Sequence, residues 1–336
     1  MGVQRRVIMV NRPHGMVQES DFRVEEVPIP QPKDGEFLVR VIYLSVDPYM
    51  RGRMNDRPSY VPPVKLNDVM CGNGVGVILE STHPEYPVGT YVEGPFNWQE
   101  YAVSDGHGVR RIDKELAPVS TAVGVLGMPG RTAYFGLLDI GQPQTGETVF
   151  VSGAAGVVGA TVGQIARIHG CRVVGVAGSD EKVKYLTQEL GFDAAFNYKT
   201  EQNYHAKIKE MCPHGIDIYF DNVGGPVTDE VFHHINNRAR ICVCGQISGY
   251  NSDKVEMGER IFWRLIVKRA RVEGFLVFDY ANKYPDADRQ LASWFQAGKL
   301  KYREHLHHGI ENAPKAMIGL FHGENIGKQL VKISDE

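Results

Sequence analysis

The string Ser152-Gly153-Ala154-Ala155-Gly156-Val157-Val158-Gly159 has residue types suited to one kind of chemistry. Glycine recurs at every third position, between an apolar run and a stretch with helical spacing. Small residues there allow a tight turn, let the backbone approach a pyrophosphate, and let the helix pack closely on the strand. The helix N-terminus then offers N–H donors and partial positive charge to the phosphates. The string therefore predicts a dinucleotide held by Gly153, Ala154, Ala155, Gly156, Val157 and Val158. The end of the next apolar run bears on which dinucleotide. Val173-Val174-Gly175-Val176-Ala177 leads into Gly178-Ser179-Asp180-Glu181-Lys182. An NAD site usually carries an acid at this strand end for the ribose 2′-hydroxyl. Here the position is Ala177. Small residues leave room for a 2′-phosphate, and Lys182, one helical turn in, can neutralise it. Asp180 is the competing acid, but it falls late and reads as a helix N-terminal residue. The reading favours NADP over NAD.

These residues need rigid elements to hold them. The first third of the chain reads as β, with short runs at Val24–Pro28, Glu36–Leu44 and Gly74–Glu80 between Pro/Gly turns. That pattern predicts a barrel-like or sandwich-like domain. Near residue 120 the texture changes. Strands are expected at Thr148–Ser152, Arg172–Ala177, Ala194–Tyr198, Ile216–Val223, Arg240–Cys244 and Val272–Val277. Helices are expected at Val157–His169, Asp180–Leu190, Glu201–Met211 and Val227–Ile235, the first two stopped by Gly170 and Gly191. Such alternation means right-handed crossovers and a parallel sheet, an α/β fold. The segment Lys301–Ile333 returns to mixed strand and helix.

Composition removes other classes. With 37 Lys+Arg against 40 Asp+Glu, a net charge of -3, the chain lacks the basic bias of a nucleic-acid binder. It also lacks the charge excess of an acidic disordered chain. At roughly 150 residues per domain its length suggests about two domains. The five cysteines include no Cys-x-x-Cys, and Cys242-x-Cys244 lies in an apolar run. A disulfide framework or zinc knuckle is not expected. No apolar signal core follows Met1, and Arg6 stands where a myristoylation signal needs a hydroxyl. Val149–Ala166 approaches membrane-spanning length, but its Gly, Ser, Thr and Gln argue against a span. A soluble, cytoplasmic protein with neither a membrane nor a nucleic-acid partner is expected.

Further strings carry a resemblance. They are Asp47-Pro48-Tyr49-Met50-Arg51-Gly52-Arg53-Met54, Gly127-Met128-Pro129-Gly130-Arg131-Thr132-Ala133-Tyr134, Phe196-Asn197-Tyr198-Lys199, Phe220-Asp221-Asn222-Val223-Gly224-Gly225, Cys244-Gly245-Gln246-Ile247-Ser248-Gly249-Tyr250-Asn251 and Gly323-Glu324-Asn325-Ile326-Gly327-Lys328. With the glycine string, and in this order, the whole chain resembles the medium-chain dehydrogenase/reductase superfamily. More closely it resembles the zinc-independent branch of leukotriene B4 12-hydroxydehydrogenase/prostaglandin reductase, plant alkenal double-bond reductases and bacterial curcumin reductase. The resemblance implies a Rossmann doubly wound parallel sheet plus a GroES-like β-barrel-type catalytic domain. The catalytic domain would comprise residues 1–120 with 291–336, and the NADP-binding domain 121–290.

The resemblance also implies roles. Lys182 and Tyr198, with Ser179 and Gly178, would meet the 2′-phosphate. Asn222, Cys244, Gly245 and Ile247 would line the cofactor at strand ends. Phe275, Leu276 and Val277 would run along the nicotinamide, and Asn325 would reach the cofactor from the returning segment. Tyr250 is expected to touch the cofactor and act in catalysis, with Tyr49 as second catalytic candidate. Tyr49, Arg51 and Tyr60 would line the substrate pocket. A homodimer is implied. Zinc-dependent relatives need a Cys and a Gly-His-Glu, but here the segments read Val46-Asp47-Pro48 and Cys71-Gly72-Asn73-Gly74-Val75-Gly76. The soft-ligand cluster of a catalytic zinc is missing, and no metal is expected. Glu304-His305-Leu306-His307-His308 remains the one suspect string and reads as packed or solvated surface. Without a Lewis acid, alcohol oxidation gives way to reduction of an activated C=C bond. A phenol could stabilise the enolate of an enone or enal. NADPH:quinone reduction, enoyl-thioester reduction with Arg51, Arg53 and Arg57 at the pocket mouth, and non-enzymatic NADPH binding stay open as alternatives.

Overall fold

The computed structural model describes residues 2–336. The chain forms two compact units. The first comprises the chain up to Gly124, Glu304–Asn325 and Gln329–Glu336. It opens with β1 (Val3–Met9) and β2 (Phe22–Pro28), an antiparallel pair with Val7 opposite Val24. Then come β3 (Phe37–Ser45), the short helix α1 (Tyr49–Arg53), β4 (Gly74–Ser81), β5 (Tyr91–Gly94), β6 (Tyr101–Ser104) and β7 (Arg110–Arg111). β3 is central: β4 and β6 both pair with it antiparallel. It is apolar on both faces (Phe37, Val39, Val41, Ile42 and Leu44 are buried) because both faces are covered.

The second unit comprises Val125–Arg303 and Ile326–Lys328. Its elements are α2 (Met128–Phe135), β8 (Thr148–Val151), α3 (Val157–Ile168), β9 (Arg172–Ala177), α4 (Asp180–Lys184), β10 (Ala194–Asn197), α5 (Tyr204–Met211), β11 (Ile216–Asp221), α6 (Gly225–Val231), β12 (Ile235–Val243), α7 (Phe262–Lys268), β13 (Arg271–Gly274) and α8 (Tyr284–Gln296). The six strands form one parallel sheet in the order β10-β9-β8-β11-β12-β13. Strand order reverses between β8 and β11. In doubly wound sheets the ligand crevice opens beyond the carboxyl ends of the strands at such a point. The chain then supplies β14 (Glu304–His308), α9 (Ala313–His322) and β15 (Lys328–Lys332). β14 and β15 complete the seven-stranded sheet, and Ala313, Ala316 and Met317 of α9 fill the first unit's core.

The expected strands and their parallel order are present, with corrections. The return to the first unit comes at Glu304, not residue 291. Leu291 and Trp294 of α8 are buried, with the Trp294 ring 6.0 Å from that of Tyr134 in α2 and tilted to it, and this keeps α8 in the second unit. The outward boundary falls at Gly124. The expected strand Val272–Val277 stops at Gly274, and Val277–Lys283 winds into a 3-10 helix. Val277 packs with Phe135 and Ala287, a helical neighbourhood that a strand would not reach. The expected helix Val227–Ile235 ends at Val231, and Ile235 begins β12. The Asp180–Leu190 helix continues past α4 as a π-helical turn over Tyr185–Glu189. Among the described residues no helix is long and apolar enough to cross a membrane.

Candidate active site

The second unit builds a nucleotide site at the reversal. Ser152 follows β8, and Gly153 turns the chain with φ +59, a region that favours glycine. The Ala154 N–H donates to Val176 O at 3.0 Å, tying the turn to β9. A Cβ on Gly159 would lie 2.6 Å from Gly153 O and 2.7 Å from Ala154 Cα. Only glycine lets α3 start this close to the turn. Gly156 caps α3 with no side-chain hydrogen bond, so the first N–H groups of the helix keep their donors for a ligand. Gly327 N donates to Ala155 O at 2.8 Å and braces the turn.

At the end of β9 the side chains sort by charge. Ser179 caps α4, accepting from Lys182 N at 3.3 Å. Tyr198 and Lys199 pack over Gly178; a Cβ there would meet the Tyr198 ring at 3.1 Å and Lys199 Cε at 3.4 Å. Burial, and then the Lys199 charge, hold the Lys182 ammonium below its ordinary pKa. Two cations converging on a glycine and a phenol suit a dianion. Asp180, the competing acid, accepts from Asn197 Nδ2 at 2.9 Å and is turned to that partner. Donor set and cradle thus fit a 2′-phosphorylated dinucleotide. The sequence alone does not single out Lys199 in Phe196-Asn197-Tyr198-Lys199, where it looks like a solvated loop lysine.

The hub of the site is Asp221, 1% exposed. Its Oδ1 accepts from Ser152 Oγ (2.8 Å), Tyr219 Oη (2.9 Å), Val223 N (2.9 Å) and Gly224 N (2.9 Å). Its Oδ2 accepts from Thr228 Oγ1 (3.1 Å) and Gln246 Nε2 (2.9 Å). One carboxylate therefore ties together the ends of β8 and β11 and the loop after β12. Asn222 lies beside it and donates from Nδ2 to Ser152 O at 2.8 Å. Cys244 N and Gly245 N donate to Asp221 O. Burial pushes the Cys244 thiol up to about 12, so it stays a thiol. Ile247 opens a short turn that carries Tyr250. The Tyr250 phenol oxygen accepts from Gln246 N at 3.3 Å, against the Gly245 backbone. Burial raises its pKa, and the Cys244 and Asp221 sides add to the rise. The phenol therefore keeps its proton at neutral pH. Phe275 packs against Phe220, with ring centroids 6.3 Å apart, and Leu276 follows it outside any strand.

The first unit holds the other named residues. Tyr49 sits in α1 beside buried Asp47. Burial, then Asp47 and Cys71, push its phenol well above the ordinary value. Arg51 is buried, and its Nη2 donates to Pro13 O (3.2 Å) and Gly15 O (3.0 Å). Its guanidinium thus holds the loop before β2. Tyr60 is 50% exposed, and Arg53 donates to Pro62 O at 2.8 Å in the same loop. Asn325 is buried in this unit.

Comparison with known proteins fits this geometry. The profile described as "N-terminal domain of oxidoreductase" matches residues 5–112, and that described as "Zinc-binding dehydrogenase" matches 157–293. The NADPH-dependent curcumin reductase of Escherichia coli is 44% identical over 99% of this chain and 97% of its own. The chain belongs to the medium-chain dehydrogenase/reductase family. It falls with that family's alkenal, curcumin and prostaglandin reductases. The 2-alkenal reductase (NADP(+)-dependent) of Nicotiana tabacum is 45% identical over 99% and 98% of the two chains. The structure of CurA in complex with NADPH from Vibrio vulnificus is 43% identical, with TM-score 0.95 over 99% of this chain and all of that one.

Proposed function

We propose that this protein reduces the carbon–carbon double bond of α,β-unsaturated ketones and aldehydes with NADPH, without a metal at the reacting carbon. It is an NADP-dependent oxidoreductase of the CH–CH class, and its cofactor is NADP(H). Full-length kinship with enzymes named for curcumin and alkenal reduction carries the substrate class.

Gly153, Ala154, Ala155, Gly156, Val157 and Val158 hold the pyrophosphate, and Lys182, Lys199, Ser179 and Tyr198 hold the 2′-phosphate. Asn222, Cys244, Gly245 and Ile247 present backbone at the strand ends, with Phe275, Leu276 and Val277 beyond. When bound, NADPH supplies a hydride to the β-carbon of the substrate. Negative charge gathers on the substrate's carbonyl oxygen, and the Tyr250 O–H donates to it. Its raised pKa keeps the proton in place at neutral pH. One preorganised donor of this kind contributes about 100- to 1000-fold to turnover. Tyr49, likewise protonated, and Tyr60 line the substrate side, and Asn325 completes the cofactor contacts. Burial raises the pKa of the Cys71 thiol, and the Gly-His-Glu that accompanies a catalytic zinc is missing from the sequence.

We also propose a homodimer formed through β13. It is an edge strand of the sheet, and α7 before it exposes Phe262 (74%), Trp263 (71%) and Ile266 (68%). An open edge beside an apolar helix face is a liability unless a second copy covers it. Five free cysteines suit a reducing, cytoplasmic setting.

The test offers the purified protein NADPH with methyl vinyl ketone, benzoquinone or crotonyl-CoA. Oxidation of NADPH with the enone, giving the saturated ketone, is expected. Oxidation with benzoquinone alone would overturn the reading.

A further inference from the structure

Outside the active site, three side chains of the second unit converge without serving it. Glu230, in the last turn of α6, and His234, just past its end, are four residues apart. His205 stands on the neighbouring helix α5. His205 Nδ1 lies 2.8 Å from Glu230 Oε1, and His234 Nε2 lies 2.9 Å from the same oxygen. The imidazole centroids are 4.7 Å apart, and the ligand atoms of all three lie within 4.8 Å of one another. Among the described residues this is the one group of three or more His, Cys, Asp or Glu side chains so gathered.

We propose that His205, Glu230 and His234 form a surface site for a borderline divalent ion such as Zn2+. Two imidazoles and a carboxylate are a familiar zinc donor set, with water in the fourth position. A tetrahedral ion with bonds of ~2.1 Å needs its ligand atoms ~3.4 Å apart. The two nitrogens must therefore back away from Oε1 by about half an ångström and close toward each other, a shift within side-chain reach. Without the ion, the nitrogen of each ring that faces Glu230 Oε1 is the donor, because a carboxylate only accepts. Binding requires each ring to move that proton to its other nitrogen, Nε2 in His205 and Nδ1 in His234, or to release it. His205 is exposed and gives the ion an entry path, while His234 is largely covered and fixes the inner position. The adjacent His233 is held by Glu259 at 2.8 Å and by Arg264 at 2.7 Å, and stays outside the set. The ion would staple α5 to the end of α6. Because Glu230 and His234 lie at the C-terminal end of α6, away from Gly224 and Asp221 at its start, the ion would not compete with NADPH.

Zn2+ is titrated into the untagged full chain in competition with a chromophoric chelator. One ion per chain is expected. His205→Ala and His234→Ala should each weaken binding by ~10-fold or more, the scale on which metal sites respond even to outer-shell loss. His305→Ala/His308→Ala should leave it unchanged. The melting temperature of the parent should rise by about 5–11 °C at ~100-fold excess over the dissociation constant, and that of His205→Ala should not. Absence of chelator-competitive binding, or equal affinity in parent and His205→Ala, overturns the site. Should His234→Ala fail to fold, the exposed His205 position decides alone.

Discussion

Replacing Asp221 by Asn would keep the shape at the end of β11 and remove its charge. The carboxylate accepts six hydrogen bonds, four at Oδ1 and two at Oδ2. A hydrogen bond to a charged group contributes about 1.5–3 kcal/mol and a neutral one about 0.5–1.5 kcal/mol. The difference is near 1 kcal/mol per bond, but the bonds share one group and do not add. In addition, the new amide N–H2 faces two donors. Thr228 can rotate to accept, and Gln246 must flip its amide. A total near 3 kcal/mol follows, equivalent to a fall of about 6–12 °C in melting temperature for a unit of this size. Function should suffer with it. Ser152, Val223 and Gly224 keep a weaker, uncharged acceptor and Gln246 loses its own, which loosens the glycine turn and the Tyr250 loop, so NADPH affinity should drop. Calorimetry and an NADPH fluorescence titration measure both effects. A variant melting within ~1 °C of the parent, with unchanged NADPH affinity, would refute the hub assignment.

Other consequences can be checked in parallel. Lys182→Ala removes a charge-assisted phosphate contact of about 1.5–3 kcal/mol, so NADPH binding should weaken ~10- to 100-fold while NADH binding stays put; equal losses for both would refute the 2′-phosphate assignment. Because the Tyr250 pKa is raised, the active protonated phenol persists through neutral pH and is lost only as pH climbs through that raised value. The kcat–pH profile should therefore stay flat near neutrality and fall only above about pH 10, with that limb absent from Tyr250→Phe. Trp263→Glu should shift the protein to a monomer in analytical ultracentrifugation; an unchanged sedimentation coefficient would remove α7 from the interface.

The parallel sheet was legible because buried strands such as Arg172–Ala177 are nearly continuous apolar runs, and the glycine turn because few residues tolerate its geometry. The cofactor preference was legible because a missing acid at Ala177 is a local fact. Less visible was whatever depends on partners distant in sequence. Lys199 gains meaning only where β10 lies beside β9 and brings it over Gly178. Asp221 reads as one more strand residue until Ser152 and Gln246 reach it from β8 and from the loop after β12. Arg51, expected at the substrate, turns inward because backbone carbonyls of Pro13 and Gly15 need its donors. His205 and Glu230 are joined by helix packing, whereas the histidine string at 304–308 drew attention through adjacency alone. The strand expected through Val277 failed because its apolar residues belong to a helical cluster with Phe135, which a local pattern cannot distinguish from a sheet interior.

In the proposed reaction a protonated Tyr250 stabilises charge on the carbonyl oxygen of an enone or enal while NADPH reduces the double bond. Steady-state turnover of methyl vinyl ketone by parent and Tyr250→Phe, with the NADPH dissociation constant measured on both, tests it most directly. A fall in kcat of about 100-fold or more with NADPH affinity unchanged is the predicted result. Equal turnover by the two proteins would contradict it.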